Sequence, residues 1–137
     1  MGHYVGKHTI YDLQYPVDAK ILKKSKRALK AMVLACEQSG AVVLADHVHK
    51  FPGDGYTFVL ALSESHASVH TWPENGIMTV DIFMCGKCDS EKAMKAFIDI
   101  LTEKGHKPSS VNEFVMGRGW AQEEQTSDPL KELKEMT

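Results

Sequence analysis

A chain of 137 residues has the size of one domain and can bury roughly two-thirds of its unfolded surface, so neither a disulfide nor a metal is needed for stability. With 43% hydrophobic residues, 25% charged residues and a net charge of −2, the composition argues against a disordered chain and against a strongly basic nucleic-acid binder. The longest apolar runs, residues 31–36 and 58–62, fall far short of the roughly 18 residues of a membrane span.

Residues 1–10 have no apolar core of signal-peptide type, and Gly6 stands where a myristoylation motif after Gly2 wants Ser or Thr. A cytoplasmic protein is expected. Its three cysteines, Cys36, Cys85 and Cys88, are an odd number and favour free thiols.

In chain order, Lys7 to Leu13 reads as a short strand. Residues Asp18 to Gln38 read as a helix, capped by Asp18 and ended by Gly40, with an apolar stripe of Leu22, Leu29, Val33 and Cys36 flanked by Ile21, Ala28 and Met32. Strands follow at Val42 to Phe51, Tyr56 to Ser63 and Ser68 to Trp72, the first two joined by a turn at Gly53-Asp54-Gly55. Gly76 to Cys85 continues as a strand. A second amphipathic helix spans Ser90 to Lys104, turns Ala93, Phe97, Ile100 and Leu101 inward and stops at Gly105; a last strand covers Ser110 to Met116. This order predicts an α+β two-layer sandwich, a mainly antiparallel sheet with two helices on one face and the other face uncovered, an arrangement consistent with a dimerising protomer. The domain is assigned to residues 1–121, and residues 122–137 to a charged tail, either a short helix or disordered.

The densest chemistry lies in Ser63-Glu64-Ser65-His66, His70-Thr71-Trp72-Pro73-Glu74 and Asp81-Ile82-Phe83-Met84-Cys85-Gly86. With Gly6-Lys7-His8, Asp12-Leu13 and His49-Lys50-Phe51, these motifs resemble the small prokaryotic type of S-adenosylmethionine decarboxylase proenzyme over roughly residues 6–116. The resemblance implies self-cleavage between Glu64 and Ser65. The Ser65 hydroxyl would attack the Glu64 carbonyl, and elimination followed by hydrolysis would turn residue 65 into a covalent pyruvoyl cofactor.

By the same resemblance the ketone would form a Schiff base with the α-amine of S-adenosylmethionine, and spermidine synthesis would consume the decarboxylated product. His70 would serve in processing, helped by Thr57. Cys85 would be the proton donor, since a thiol of pKa near 8.5 is protonated at neutral pH. Phe51 would stack on adenine and Glu74 would accept from the ribose hydroxyls. The expected assembly is a homodimer of processed chains with active sites at or near the subunit interface, without nucleic acid, membrane or metal.

Each of these residues has a plainer reading when taken alone. Serines and strand histidines are mostly solvated or structural, and a cysteine is more often a small buried hydrophobe. The shared spacing is what favours catalysis, and His66, though adjacent to the cleavage point, is assigned no step. Cys85-Gly86-Lys87-Cys88 is one C-x-x-C without a second metal half-site, and His47-Val48-His49 is a single pair. The basic cluster Lys20, Lys23, Lys24, Lys26, Arg27 and Lys30 reads as a solvated helix face.

Phe58, Ile77 and Met84 depart from the residues common in the family, which keeps open a pocket reshaped for arginine or ornithine. A non-catalytic homologue is the other rival, and retention of Ser65, His70 and Cys85 speaks against it.

Overall fold

The structure is a computed structural model that describes residues 2–122. Its elements are β1 (Gly2–Gln14), a 3-10 turn (Lys20–Leu22), α1 (Ser25–Gln38), β2 (Val43–Lys50), β3 (Tyr56–Leu62), β4 (Ser65–Trp72), a second 3-10 turn (Pro73–Asn75), β5 (Ile77–Cys85), α2 (Ser90–Glu103) and β6 (Ser110–Gln122). The six strands form one antiparallel sheet in the order β2-β3-β4-β5-β1-β6. The expected two-layer architecture is therefore present.

Alternation along the strands decides which face the helices cover. Tyr56, Phe58, Leu60 and Leu62 of β3, Ala67 and Val69 of β4, and Met78, Val80, Ile82 and Met84 of β5 are buried at every second position. Helix α1 brings Ala28, Ala31, Met32, Ala35 and Cys36 to this core, and α2 brings Ala93, Met94, Phe97 and Leu101. Leu29, Val33 and Ile100 only flank it. Burial pushes the Cys36 thiol up to about 12, as suits a packing residue. Phe58 and Met84 are fully buried in the same core, so these two departures from the family pattern are absorbed by packing.

Both helices end as expected. The Gly40 and Ala41 N–H groups donate to the Glu37 and Cys36 carbonyls, and the Gly105 and His106 N–H groups to those of Thr102 and Leu101. Each glycine sits at positive φ, 93° and 90°, completing a Schellman cap that a Cβ would strain.

The start of the first helix differs from the sequence expectation. Asp18 has a φ of 60° and lies outside any helix, and α1 begins only at Ser25 behind Lys24, which makes no side-chain cap. The intervening carbonyls are taken by distant donors: Tyr56 Oη donates to Ile21 O at 2.7 Å, Thr71 Oγ1 to Leu22 O at 2.7 Å, and Lys50 Nζ to Lys23 O at 3.2 Å. Ile21 O also accepts the Lys24 N–H at 3.4 Å and Lys20 O the Lys23 N–H at 3.0 Å, the three-residue spacing of a 3-10 turn rather than an α-helical ladder.

Three strands also run longer than read. Strand β1 starts at Gly2 and β6 reaches Gln122, because the two pair from Gly2↔Gln122 to Gln14↔Ser110 and Trp120 packs edge-on against Tyr4 at 5.0 Å. Strand β4 starts at Ser65, and only Ser63 and Glu64 are left as its turn from β3. The C-terminal tail beyond Gln122 lies outside the described residues. Among the described residues no helix is long and apolar enough to cross a membrane.

Candidate active site

The Glu64-Ser65 bond sits at the tip of the β3-β4 hairpin, where Leu62 faces Ser65. Two-residue hairpin loops ordinarily place positive φ inside the turn. Here Ser63 and Glu64 have ordinary φ, and the strain falls on Ser65, with φ at 133°. That region is almost exclusive to glycine and costs of order 1–3 kcal/mol for a residue with a side chain.

On the neighbouring strand, the Cys85 N–H donates to the Glu64 carbonyl at 3.1 Å, while Cys85 Sγ lies 3.5 Å from the same oxygen and 3.6 Å from Glu64 Oε2. Partial desolvation, reinforced by the Glu64 carboxylate, pushes the Cys85 thiol above its ordinary range, so it is protonated at neutral pH. Gly86, at φ 66°, leaves room for that carboxylate: a Cβ there would stand 2.7 Å from Glu64 Oε2.

A second group forms at the opposite end of β4. Thr57 and His70 are cross-strand partners on the uncovered face. The His70 ring is stacked between Trp72, at 3.9 Å and 6°, and Phe51, at 5.6 Å and 11°. Desolvation lowers the His70 pKa and outweighs the opposing pull of Glu74, leaving a neutral imidazole at pH 7. Phe51, His70, Trp72, Pro73 and Glu74 line one surface cavity. Trp72 carries no role in the sequence reading, although its two-residue spacing from His70 puts both on one strand face.

The sequence-assigned residues are thus divided. Glu64, Ser65 and Cys85 meet at one end of the hairpin; Phe51, Thr57, His70 and Glu74 gather at the other. Ser65 and His70 are five residues apart on one strand, or about 16 Å at 3.3 Å per residue.

A third cluster, absent from the sequence reading, lies on the uncovered face beside Ser65. His66 Nδ1 is 3.3 Å from Ser65 Oγ, and His66 Nε2 is 3.6 Å from Asp81 Oδ1. Asp81 also accepts from Ser68 Oγ and contacts His8 Nε2 at 3.3 Å. The period-two positions 66 and 68 of β4 and 81 of β5 carry the signal for this cluster, but only the register Ser68↔Asp81 brings them together.

Comparisons with known proteins agree with this arrangement of elements. A family profile described as S-adenosylmethionine decarboxylase matches residues 7–113. The S-adenosylmethionine decarboxylase proenzyme of Aquifex aeolicus is 33% identical over 134 residues, spanning 98% of this chain and 96% of that one. The proenzyme of Picrophilus torridus is 38% identical over 115 residues, 84% of this chain and 85% of its own. A crystal structure of the adenosylmethionine decarboxylase from Aquifex aeolicus superposes with a TM-score of 0.74 over 91% of this chain and 99% of that chain, at 33% identity.

Proposed function

The chain belongs to the S-adenosylmethionine decarboxylase family, and from that premise we propose that it is a proenzyme that cuts its own Glu64-Ser65 bond and then decarboxylates S-adenosylmethionine. The observation that carries the reading is the scissile bond itself, where a strained Ser65 at φ 133° follows a carbonyl held at 3.1 Å by the Cys85 N–H. Strain raises the starting amide, and a fixed N–H donor stabilises the oxyanion formed when Ser65 Oγ attacks.

Collapse of the tetrahedral intermediate breaks the C–N bond and leaves an ester with a free amine on residue 65. His70 then removes the Cα proton of residue 65, the Cβ–Oγ bond breaks, and Glu64 leaves as a carboxylate. Water converts the resulting dehydroalanine to a pyruvoyl group and ammonia. The residues fit this cofactor, because its only source is a serine already strained at the break point. Once formed, the pyruvoyl carbonyl supplies the electron sink for loss of carbon dioxide. Cys85 holds a proton beside residue 65 for the product carbon, and its raised pKa keeps that proton in place at neutrality.

Phe51 and Glu74 are assigned to the nucleoside of the substrate. They line the His70 cavity, about 16 Å along the strand from Ser65. A complete site therefore needs two copies, the Ser65 end of one sheet face meeting the His70 end of another across a two-fold axis. Exposed Val59, Phe114 and Met116, which the register puts on the uncovered face, give that face apolar area to bury. The amino-acid substrates of the rival reading gain no support from the relatives named above.

Intact mass tests the reading. The wild-type chain is expected to yield two pieces, residues 1–64 and residues 65–137, the second beginning with a group that reacts with hydroxylamine, and Ser65→Ala a single chain. A wild-type chain that stays whole would overturn the proposal.

A further inference from the structure

Self-cleavage needs two proton abstractions, one from the Ser65 hydroxyl and one from its Cα; His70 of a second copy is assigned the latter, and the imidazole within reach of the hydroxyl inside the chain is that of His66. We infer that His66, oriented by Asp81, is the base that activates the Ser65 hydroxyl, an assignment that rests on the self-cleavage proposed above.

Successive residues of a strand point to opposite faces. The distorted backbone at Ser65 lets its Oγ reach the neighbouring imidazole, 3.3 Å from His66 Nδ1. Distances of this kind tighten as a reaction proceeds, so the ground-state length is compatible with proton transfer. On the other side of the ring, His66 Nε2 faces Asp81 Oδ1 at 3.6 Å. A proton on Nε2 faces that carboxylate, at ion-pair rather than hydrogen-bond distance, and leaves Nδ1 with a free lone pair toward Ser65, the order of nucleophile, base and orienting carboxylate of the serine triads.

Asp81 is itself fixed from two sides. Ser68 Oγ donates to Oδ2, and His8 Nε2 lies 3.3 Å from Oδ1. The tautomer of His8 follows from Arg118, whose Nη1 stands 3.2 Å from His8 Nδ1. A guanidinium only donates, so Nδ1 accepts and the His8 proton sits on Nε2, directed at Asp81.

That assignment also decides against the other use of this cluster. His8, His66 and Asp81 offer ligand atoms within 4.8 Å of one another, close enough for a metal ion. Binding one would require a bare Nε2 on His8 and a proton on Nδ1 facing the guanidinium, which is unfavourable. With both Nε2 protons directed at Asp81, the carboxylate is hydrogen-bonded by His8 and Ser68 and faced by His66 at 3.6 Å.

The chemistry balances. His66 Nδ1 takes the proton of Ser65 Oγ as the oxygen bonds to the Glu64 carbonyl carbon. The oxyanion rests on the Cys85 N–H, and the same imidazole returns the proton to the departing nitrogen of residue 65. Formation of the ester is thus assigned to His66, and its elimination to His70.

Pulse-labelled chain from cell-free translation, followed by intact mass, separates the two steps. In His66→Ala, cleavage is expected to slow by about 10²-fold or more. The uncut precursor should resist hydroxylamine, because the bond is still an amide, and added imidazole should restore part of the rate. Asp81→Asn should slow cleavage by about tenfold in the presence of His66 and have no further effect in His66→Ala.

Normal cleavage in His66→Ala, a hydroxylamine-sensitive ester accumulating in it, or a folded variant that imidazole leaves unchanged would each overturn the inference. Additive effects of the two substitutions would remove Asp81 from it. A wild-type chain that never cleaves would instead sink the proposed function, so the two failures are distinguishable.

Discussion

At Ser65 the backbone stores energy that a glycine would not. In uncleavable variants that energy is measurable without the reaction. Ser65→Gly is expected to unfold in urea with a stability equal to or up to about 2 kcal/mol above that of Ser65→Ala, because glycine removes a φ penalty of about 1–3 kcal/mol and loses about 0.5–1 kcal/mol to its freedom in the unfolded chain. An alanine variant more stable by that glycine cost of about 0.5–1 kcal/mol would mean that residue 65 is unstrained and that the strain plays no part in cleavage. The motif spacing groups Glu64, Ser65, His70 and Cys85; the structure hydrogen-bonds Cys85 to Glu64 beside Ser65 and leaves His70 at the other end of β4. It is silent on His66 and Asp81, because these meet only through the β4-β5 register and a distorted φ, and no local pattern encodes either.

Among the elements, the stretch before α1 shows how a tertiary contact overrides a helical pattern. Residues 18–24 have the composition of a helix start, yet Tyr56 and Thr71, 35 and 49 positions from their partners, claim the Ile21 and Leu22 carbonyls. Thr71 works in both directions, since its Oγ1 also accepts the Tyr56 N–H at 3.1 Å, and it is 2% exposed. Thr71→Val keeps the volume and orphans both groups, so a loss of about 1–3 kcal/mol for each is expected. Urea unfolding in the Ser65→Ala background, at fixed protein concentration, reads it; a loss below about 0.5 kcal/mol would show that neither bond contributes. Strand and helix interiors were legible because period two and the inward stripe are local properties. Strand ends were not: β6 continues past Met116 through Gly117 and Gly119, because β1 supplies partners as far as Gly2.

For the whole molecule the decisive quantity is the length of β4. Counting residues from Ser65 to His70 separates them by about 16 Å on any strand, a distance legible in the sequence once the segment between them is read as extended. How the gap is closed depends on the pairing of two faces, which no single chain encodes in its pattern. Two defective chains should repair each other if the site is shared. Ser65→Ala keeps His70 and lacks the proposed nucleophile; His70→Ala keeps Ser65 and lacks the base proposed for elimination. Expressed together with distinguishable masses, random pairing puts about half of each variant into mixed dimers. There, Ser65 of the His70→Ala chain meets His70 of its partner. About half of the His70→Ala chains should then be cleaved and none of the Ser65→Ala chains, while each variant alone stays whole. Were both residues supplied by one protomer, neither chain would be cleaved in the mixture, and the two-copy site would fall while self-cleavage in the wild type stood.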